Sequence, residues 1–395
     1  MNHQIPTCYL NSNDGTAIIG RGDGPAFILS NQTQMPELER FLKEHRDSYI
    51  FGYLSYELKQ HVDESVTKDD LRLPLAYFWV PSVAAEINQN EINLVQGIDI
   101  GLVHQFLDTL AQAKASDLPP FVARTSKEKY IHQVNEIKKL IQRGDLYETN
   151  YCQEFFLNNI SLSSPHALYA LVNQRTEAPF SGLFIADHLW LACGSPERYL
   201  QKDGEILRSQ PIKGTSPRKN DAMADEAAKQ GLVHSKKERA ENVMIVDLVR
   251  NDLSKIAEPG TVQVDELFGL YSFKTVHQMI STISCKLKPS IAFSDILKAS
   301  FPMGSMTGAP KRNALKFIEQ FEDFNREIYS GSLGYFKPGG DFDFNVVIRS
   351  LAYYPTEHYL SCGVGGAITI GADAHQEYEE CLLKIGRLIQ LKSDE

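Results

Sequence analysis

Tight-turn signals set between short apolar runs constrain this chain more than any other feature. Asn88-Gln89-Asn90, Asp203-Gly204, Pro338-Gly339-Gly340 and Pro355-Thr356-Glu357 each separate two segments of strand-like length. A turn of a few residues joins antiparallel strands, whereas parallel strands need a much longer crossover. Hairpins therefore dominate over β-α-β units. The pattern predicts an α+β fold, a large antiparallel β-sheet sandwich with helices packed outside it.

Strands are expected over 48–58, at the hairpin in 82–95, and over 146–157, 182–186, 189–193, 199–208, 261–266 and 275–287, with a further antiparallel set across 328–370. Helical periodicity runs through Leu102, Phe106, Leu107 and Leu110. Thr125 and Glu128 form a capping-box pattern ahead of an apolar face at Tyr130, Val134, Ile137 and Ile141, and Gly144 stops that helix. One long helix is expected from Ala222 to about Val249, and a last one over 375–391 with Tyr378, Leu382, Ile385 and Ile389 on its apolar face. Ser116-Asp117-Leu118-Pro119-Pro120 interrupts the pattern and places a boundary between an N-terminal subdomain, 1–120, and a catalytic domain, 121–395.

Composition narrows the function classes. The chain has 395 residues, 43% of them hydrophobic and 23% charged, enough for a large core. A net charge of −10 argues against a nucleic-acid surface, which needs a basic stripe. No apolar run reaches bilayer-spanning length, and no basic-then-apolar leader opens the chain, so a cytoplasmic protein without a membrane segment is expected. Six scattered cysteines show no metal-ligand spacing and read as buried free thiols.

Several residue groups carry potential chemistry, each with a plainer reading beside it. Lys213, in Pro211-Ile212-Lys213-Gly214-Thr215, reads as lying on a tight turn leaving a strand. It is either a solvated loop lysine or a fixed primary amine, nucleophilic once its pKa is lowered. Glu197, in Gly194-Ser195-Pro196-Glu197-Arg198, is a possible acid beside it or half of a structural turn pair with Arg198. Glu238 and Glu241 share one helical face, as do Glu377 and Glu380. Two such faces meeting would gather four carboxylates around a hard cation such as Mg²⁺; otherwise they are solvated charged faces. Lys384 follows Glu380 by one helical turn, as an ion pair or as an anion site. The segment from Gly304 to Lys311, with Thr307, runs into a helix that Pro310 suits at its first turn; it is an anion-receptive N-terminus or a generic turn. Gly363, Gly365 and Gly366 follow the strand run 359–362 and permit either close ligand approach or a bulge. Arg349 ends a strand run and is a carboxylate clamp or a rim residue.

Taken together these motifs resemble the chorismate-utilising enzymes. SPERYL (195–200), PIKGT (211–215), ERAENVMIVDLVRNDL (238–253), FPMGSMTGAPK (301–311), YSGSLGYF (329–336), VVIRS (346–350), GVGGAI (363–368) and EYEECLLKIGRL (377–388) occur in the family's order, and FGYLSYEL (51–58) resembles its N-terminal part. The resemblance covers roughly residues 120–395. It implies the chorismate-utilising fold and, because Lys213 stands where the anthranilate-forming members have alanine, the aminating branch that makes 4-amino-4-deoxychorismate on the way to 4-aminobenzoate and folate. Anthranilate formation, or a chorismate-binding subunit without catalysis, is the alternative.

By the same resemblance Lys213 is the nucleophile and Glu197 the acid. Glu241 and Glu380 bind Mg²⁺ with Glu238 and Glu377 supporting them. Lys384 and the Gly365/Gly366 backbone hold the ring carboxylate, Arg349 and Tyr329 hold the pyruvyl carboxylate, and Thr307 lines the pocket. On this reading Lys213 must be neutral, which calls for a lowered pKa, and Glu197 protonated, which calls for a raised one. No glutaminase nucleophile elbow is present, so the resemblance implies a separate glutamine amidotransferase subunit that supplies ammonia. Two departures stand out. Glu148 occupies a place usually held by glutamine in aminating members, and Gln278 follows His277 where relatives often have histidine.

Overall fold

A computed structural model describes residues 4–30, 34–61, 72–89, 91–115 and 117–392. The chain begins with β1 (Thr7–Asn11), β2 (Thr16–Arg21), β3 (Ala26–Leu29), α1 (Met35–Glu44), β4 (Ile50–Leu54), β5 (Ala76–Trp79), β6 (Val83–Asn88), β7 (Glu91–Gln96) and α2 (Ile100–Gln112). It continues through β8 (Val122–Ala123), α3 (Lys127–Arg143), β9 (Glu148–Leu157), α4 (Pro165–Thr176), β10 (Phe180–Ala186), β11 (Leu189–Ser195), β12 (Arg198–Asp203), β13 (Ile206–Gln210) and β14 (Ile212–Pro217). Next come α5 (Ala222–His234), α6 (Lys236–Ser254), β15 (Gln263–Ser272), β16 (Val276–Lys286), α7 (Phe293–Ser300), β17 (Gly308–Ala309) and α8 (Lys311–Phe321). The last elements are β18 (Ser332–Phe336), β19 (Phe342–Asn345), β20 (Leu351–Tyr354), β21 (Tyr359–Ile368) and α9 (Ala374–Ile385).

These strands form two sheets. An 11-stranded sheet runs β17-β9-β21-β20-β11-β10-β1-β2-β6-β7, with β8 on β9; a 10-stranded sheet runs β14-β16-β13-β12-β19-β18-β4-β5-β3, with β15 on β16. Among the described residues every ladder between these strands is antiparallel, as the hairpin signals require. Both sheets contain strands from either side of residue 120.

Side-chain alternation explains the layering. Cys8, Ile18, Tyr53, Trp79 and Phe184 point between the sheets into a shared core. Their neighbours Tyr9, Ile19 and Ile185 point the other way and are covered by α2, α3, α4 and α9 through Phe106, Val134, Leu168 and Tyr378. On the far side of the second sheet, Ile50, Leu54 and Phe78 pack with Leu38 of α1, Ile245 and Val249 of α6, and Leu297 of α7. The result is helices, sheet, sheet, helices. All six cysteines are free and buried. Among the described residues no helix is long and apolar enough to cross a membrane.

Several local expectations differ from the structure. The cap of α3 is Ser126, which accepts from the Lys129 N–H, while the Thr125 hydroxyl reaches across to Asp323. The single helix expected from Ala222 to Val249 is two, α5 and α6, broken at Ser235, whose extended backbone lets its side chain accept from the Glu238 N–H. The helix expected over 375–391 ends at Ile385. The glycines at 363, 365 and 366 lie inside β21, which continues to Ile368, and do not follow it.

Candidate active site

The site forms where β14 of one sheet, β9 of the other, and helices α6 and α9 come together. Lys213 is on strand β14, not on a turn, but that strand is irregular: its pairing with β16 slips between Ile212 and Thr215. Gly214 supplies the left-handed backbone (φ 92°) that the slip requires, and a Cβ there would strike Leu232 and Glu238. The bulge aims the Lys213 side chain inward, where it is 9% exposed.

There its Nζ donates to Glu148 Oε1 of β9 at 3.0 Å. Burial alone would push the ammonium pKa down, but the charges of Glu148, Glu241 and Glu197 and the Glu148 hydrogen bond outweigh it, and the net shift is upward. The lowered lysine pKa expected from the sequence is therefore not what this charge environment produces. Lys213 is held as an ammonium by its carboxylate neighbours. Glu148 is itself 2% exposed, and its second oxygen, Oε2, is buried without a hydrogen-bond partner.

Glu197 occupies the bend between β11 and β12 and is 5% exposed. Desolvation raises its pKa to about 7, against the pull of Ser305, Lys213, the Ile212 N–H and Arg349. This matches the raised acid expected from the sequence. The Ile212 contact ties Glu197 to the residue before Lys213. Behind Glu197 lies a small cavity bordered by Ser305, Ser209, Ser300 and Asp252. The Ser305 hydroxyl is buried there without a well-formed hydrogen bond.

Helices α6 and α9 approach each other through Lys237 and Glu377. Glu241 is buried, and desolvation, offset by Lys213 and reinforced by Glu148 and Glu238, lifts it to about 7. Its Oε1 has no hydrogen-bond partner. Glu238 is half-buried against Gly214. Glu377 is buried, and its pKa is raised by desolvation despite Lys237. Glu380 is exposed and held low; desolvation acts against this, but Lys384 more than compensates. Among the described residues no three acidic, histidine or cysteine side chains are gathered closely enough to hold a metal ion. An ammonium stands between the helices: Lys237 Nζ lies 3.3 Å from Glu377 Oε1 and 4.0 Å from Glu241 Oε1. The donor set nevertheless suits Mg²⁺, because the oxygens are all carboxylate and one, on Glu241, is buried and unspent.

Lys384 Nζ bridges Glu380 Oε1 and the Gly365 carbonyl, each at 2.9 Å. Gly365 thus contributes its oxygen to the lysine. A Cβ on Gly366 would sit 3.3 Å from Glu377 Oε2 and 3.6 Å from Lys384 Nζ, so its bare backbone borders the same space. Tyr329 is buried, its ring lying flat on Gly363, where a Cβ would come within 2.3 Å of it. Arg349 adopts a left-handed backbone (φ 51°), unusual for a residue with a Cβ. Desolvation and the neighbouring Arg387 lower its pKa, with Glu197 opposing. Among the described residues its guanidinium makes no hydrogen bond or ion pair within the protein, which leaves it free for an anion. Thr307 is fully buried and turns its hydroxyl onto the Met303 and Gly304 carbonyls; Ser305 is the hydroxyl that faces Glu197.

His277 is clamped between Ser272 and Asp225, a structural role. Gln278 is fully buried with neither amide atom paired. Sequence reasoning left Glu148 without a role and gave no site role to Lys237, Ser305 or Arg387. The Ser-x-x-Glu pattern at Ser235 and Glu238 could have marked the start of α6, and with it Lys237 in its first turn.

Comparison with known proteins places the chain in a family. The model of the chorismate binding enzyme family matches residues 7–390, and the chain belongs to that family. It is 37% identical over 272 residues to aminodeoxychorismate synthase component 1 of Klebsiella aerogenes, a match covering 69% of this chain and 59% of that protein. With the protein of the same name from Escherichia coli (strain K12) it is 30% identical over 353 residues, covering 87% of this chain and 75% of that one. The chain thus spans less than two thirds of the Klebsiella relative. Its fold is that of anthranilate synthase component I from Streptococcus pneumoniae TIGR4, with a TM-score of 0.76 at 22% identity over 99% of this chain and 91% of that one.

Proposed function

We propose that this chain acts as an aminodeoxychorismate synthase component 1, converting chorismate and ammonia into 4-amino-4-deoxychorismate. The observation that carries the reading is a buried amine, Lys213, set among carboxylates beside a carboxyl group, Glu197, raised to about 7. An acid with that pKa is about half protonated at neutral pH, which suits donation to a poor hydroxyl leaving group. The named relatives support the aminating assignment.

In this reading Arg349 and Tyr329 take the pyruvyl carboxylate, and Lys384 with the Gly366 backbone takes the ring carboxylate. Glu241 and Glu380, backed by Glu238 and Glu377, would hold Mg²⁺, whose charge would offset that of the ring carboxylate. Lys213 attacks C2 of the ring while Glu197 protonates the departing C4 hydroxyl. Ammonia then adds at C4 and Lys213 leaves C2. The ammonia comes from a glutamine amidotransferase partner, a cytoplasmic arrangement in keeping with free thiols.

Incubation with chorismate, Mg²⁺ and ammonium chloride, followed by product mass analysis, tests the reading. The expected product retains the enolpyruvyl group and carries one amino group in place of hydroxyl. Anthranilate, which lacks pyruvate, or no turnover at all, would overturn it.

A further inference from the structure

The amine that must attack is held as an ammonium, and the group holding it can also relieve it of the proton. We propose that Glu148 is the catalytic base for Lys213, an inference that rests on the covalent reading above. Glu148 Oε1 accepts the Lys213 ammonium hydrogen at 3.0 Å, a proton-transfer distance, and both side chains are buried. Its other oxygen is buried without a partner, so the carboxylate is not consumed by scaffold contacts as a purely structural one is. An amide at 148 would accept the same hydrogen bond but could not take the proton.

The step balances. An Nζ–H bond of the ammonium breaks and its proton moves to Glu148, leaving a neutral amine and a carboxylic acid. The freed pair forms the Nζ–C2 bond, the diene electrons shift toward C4, and the C4–O bond breaks as the Glu197 proton makes the leaving group water. Ammonia then forms the C4–N bond, the double bonds return, and the C2–Nζ electrons go back to Lys213. Glu148 restores the proton to the released amine, and Glu197 recovers its proton from the new C4 ammonium. In a dry site the neutral pair carries less desolvation cost than the ion pair, so substrate closing over Lys213 favours the transfer. The other charged groups facing Lys213 are Glu241 on α6, Glu197 at the β11–β12 bend and Glu380 on α9; all three favour the ammonium and none is placed to hydrogen-bond Nζ.

Acid-quenched intact-mass analysis of the whole protein with chorismate and Mg²⁺, without ammonia, at a series of pH values tests this. The wild type should build an adduct on Lys213 at a rate that does not rise with pH, because the proton never leaves the pair, and that falls only as Glu197 loses its proton above about pH 7. Glu148→Gln should form it about 100-fold more slowly or worse at neutral pH, with a rate relative to wild type that climbs as pH rises. Glu148→Asp should be slower than wild type but keep the wild-type pH profile, which a merely structural carboxylate would not produce. Thermal melts confirm that each variant is folded, and Glu148→Asp carries the test if Glu148→Gln is not. A Glu148→Gln protein matching wild type in rate and pH profile, or a Glu148→Asp protein whose rate relative to wild type climbs with pH, would overturn the proposal. A wild type that forms no adduct would remove the covalent reading itself, an outcome visible without any variant.

Discussion

Two buried ionic clusters lie within the same molecule and are built in opposite ways. In the first, Arg326 is 3% exposed and every face of its guanidinium is used: it donates to both oxygens of Glu322 at 2.6 and 2.8 Å, to the Met306 and Asn150 carbonyls at 2.8 and 3.0 Å, and to Ser330. Glu322 in turn accepts the Cys152 N–H. In the second, around Lys213, one oxygen of Glu148 and one of Glu241 are buried without hydrogen bonds, and Glu197 and Glu241 sit near pKa 7. A fully paired buried charge fixes structure, whereas an incompletely paired one keeps capacity for a ligand or a proton. The first cluster also steadies the second: Arg326 clasps Asn150, two places along β9 from Glu148, and Met306, next to Ser305.

Breaking the satisfied cluster should have the largest effect on stability. Glu322→Gln leaves the Arg326 charge uncompensated and should cost about 3–5 kcal/mol in urea unfolding. A loss no larger than that of a surface substitution would erase the distinction between the clusters. Neutralising the unsatisfied one should do the reverse. Glu197 has a folded pKa of about 7 against an ordinary 4.5, so the fold holds its proton more tightly than the unfolded chain does. That contribution is complete below pH 4.5 and is lost as pH rises to 7. Glu197→Gln should therefore be more stable than wild type at alkaline pH by on the order of 3 kcal/mol, with the difference vanishing near the ordinary carboxylate pKa. Equal stability at both pH values would contradict the burial argument.

Smaller effects sharpen the comparison. Arg349→Ala should raise KM for chorismate about tenfold with a lesser change in kcat, since it removes a charge-assisted contact to an anion. An unchanged KM would remove Arg349 from the site. Lys237→Gln should tighten Mg²⁺ binding a few-fold in calorimetry without substrate, because it withdraws a competing ammonium from between Glu241 and Glu377. Weaker Mg²⁺ binding in that variant would mean that the lysine does not compete for those carboxylates.

The layered sheets were legible because alternation and turn residues are local signals that the pairing obeys. Gly144 caps α3 in the left-handed conformation its position suggests. The break at Ser235 was not, because α5 and the start of α6 are both largely solvent-facing and present no apolar period to interrupt. Thr125 was mistaken for a cap because its real partner, Asp323, is distant in sequence. The same holds at the site. Motifs pointed to Lys213, Glu197 and the paired glutamates, but the pairing of Glu148 with Lys213 joins β9 to β14 and exists only once both sheets are folded.

The most direct test of the account is ammonium-dependent turnover of chorismate by Lys213→Ala. If the buried amine on the β14 bulge is the nucleophile, product formation should fall by about 1000-fold in a variant that still melts as a folded protein. A folded Lys213→Ala protein that still forms 4-amino-4-deoxychorismate at the wild-type rate would contradict it.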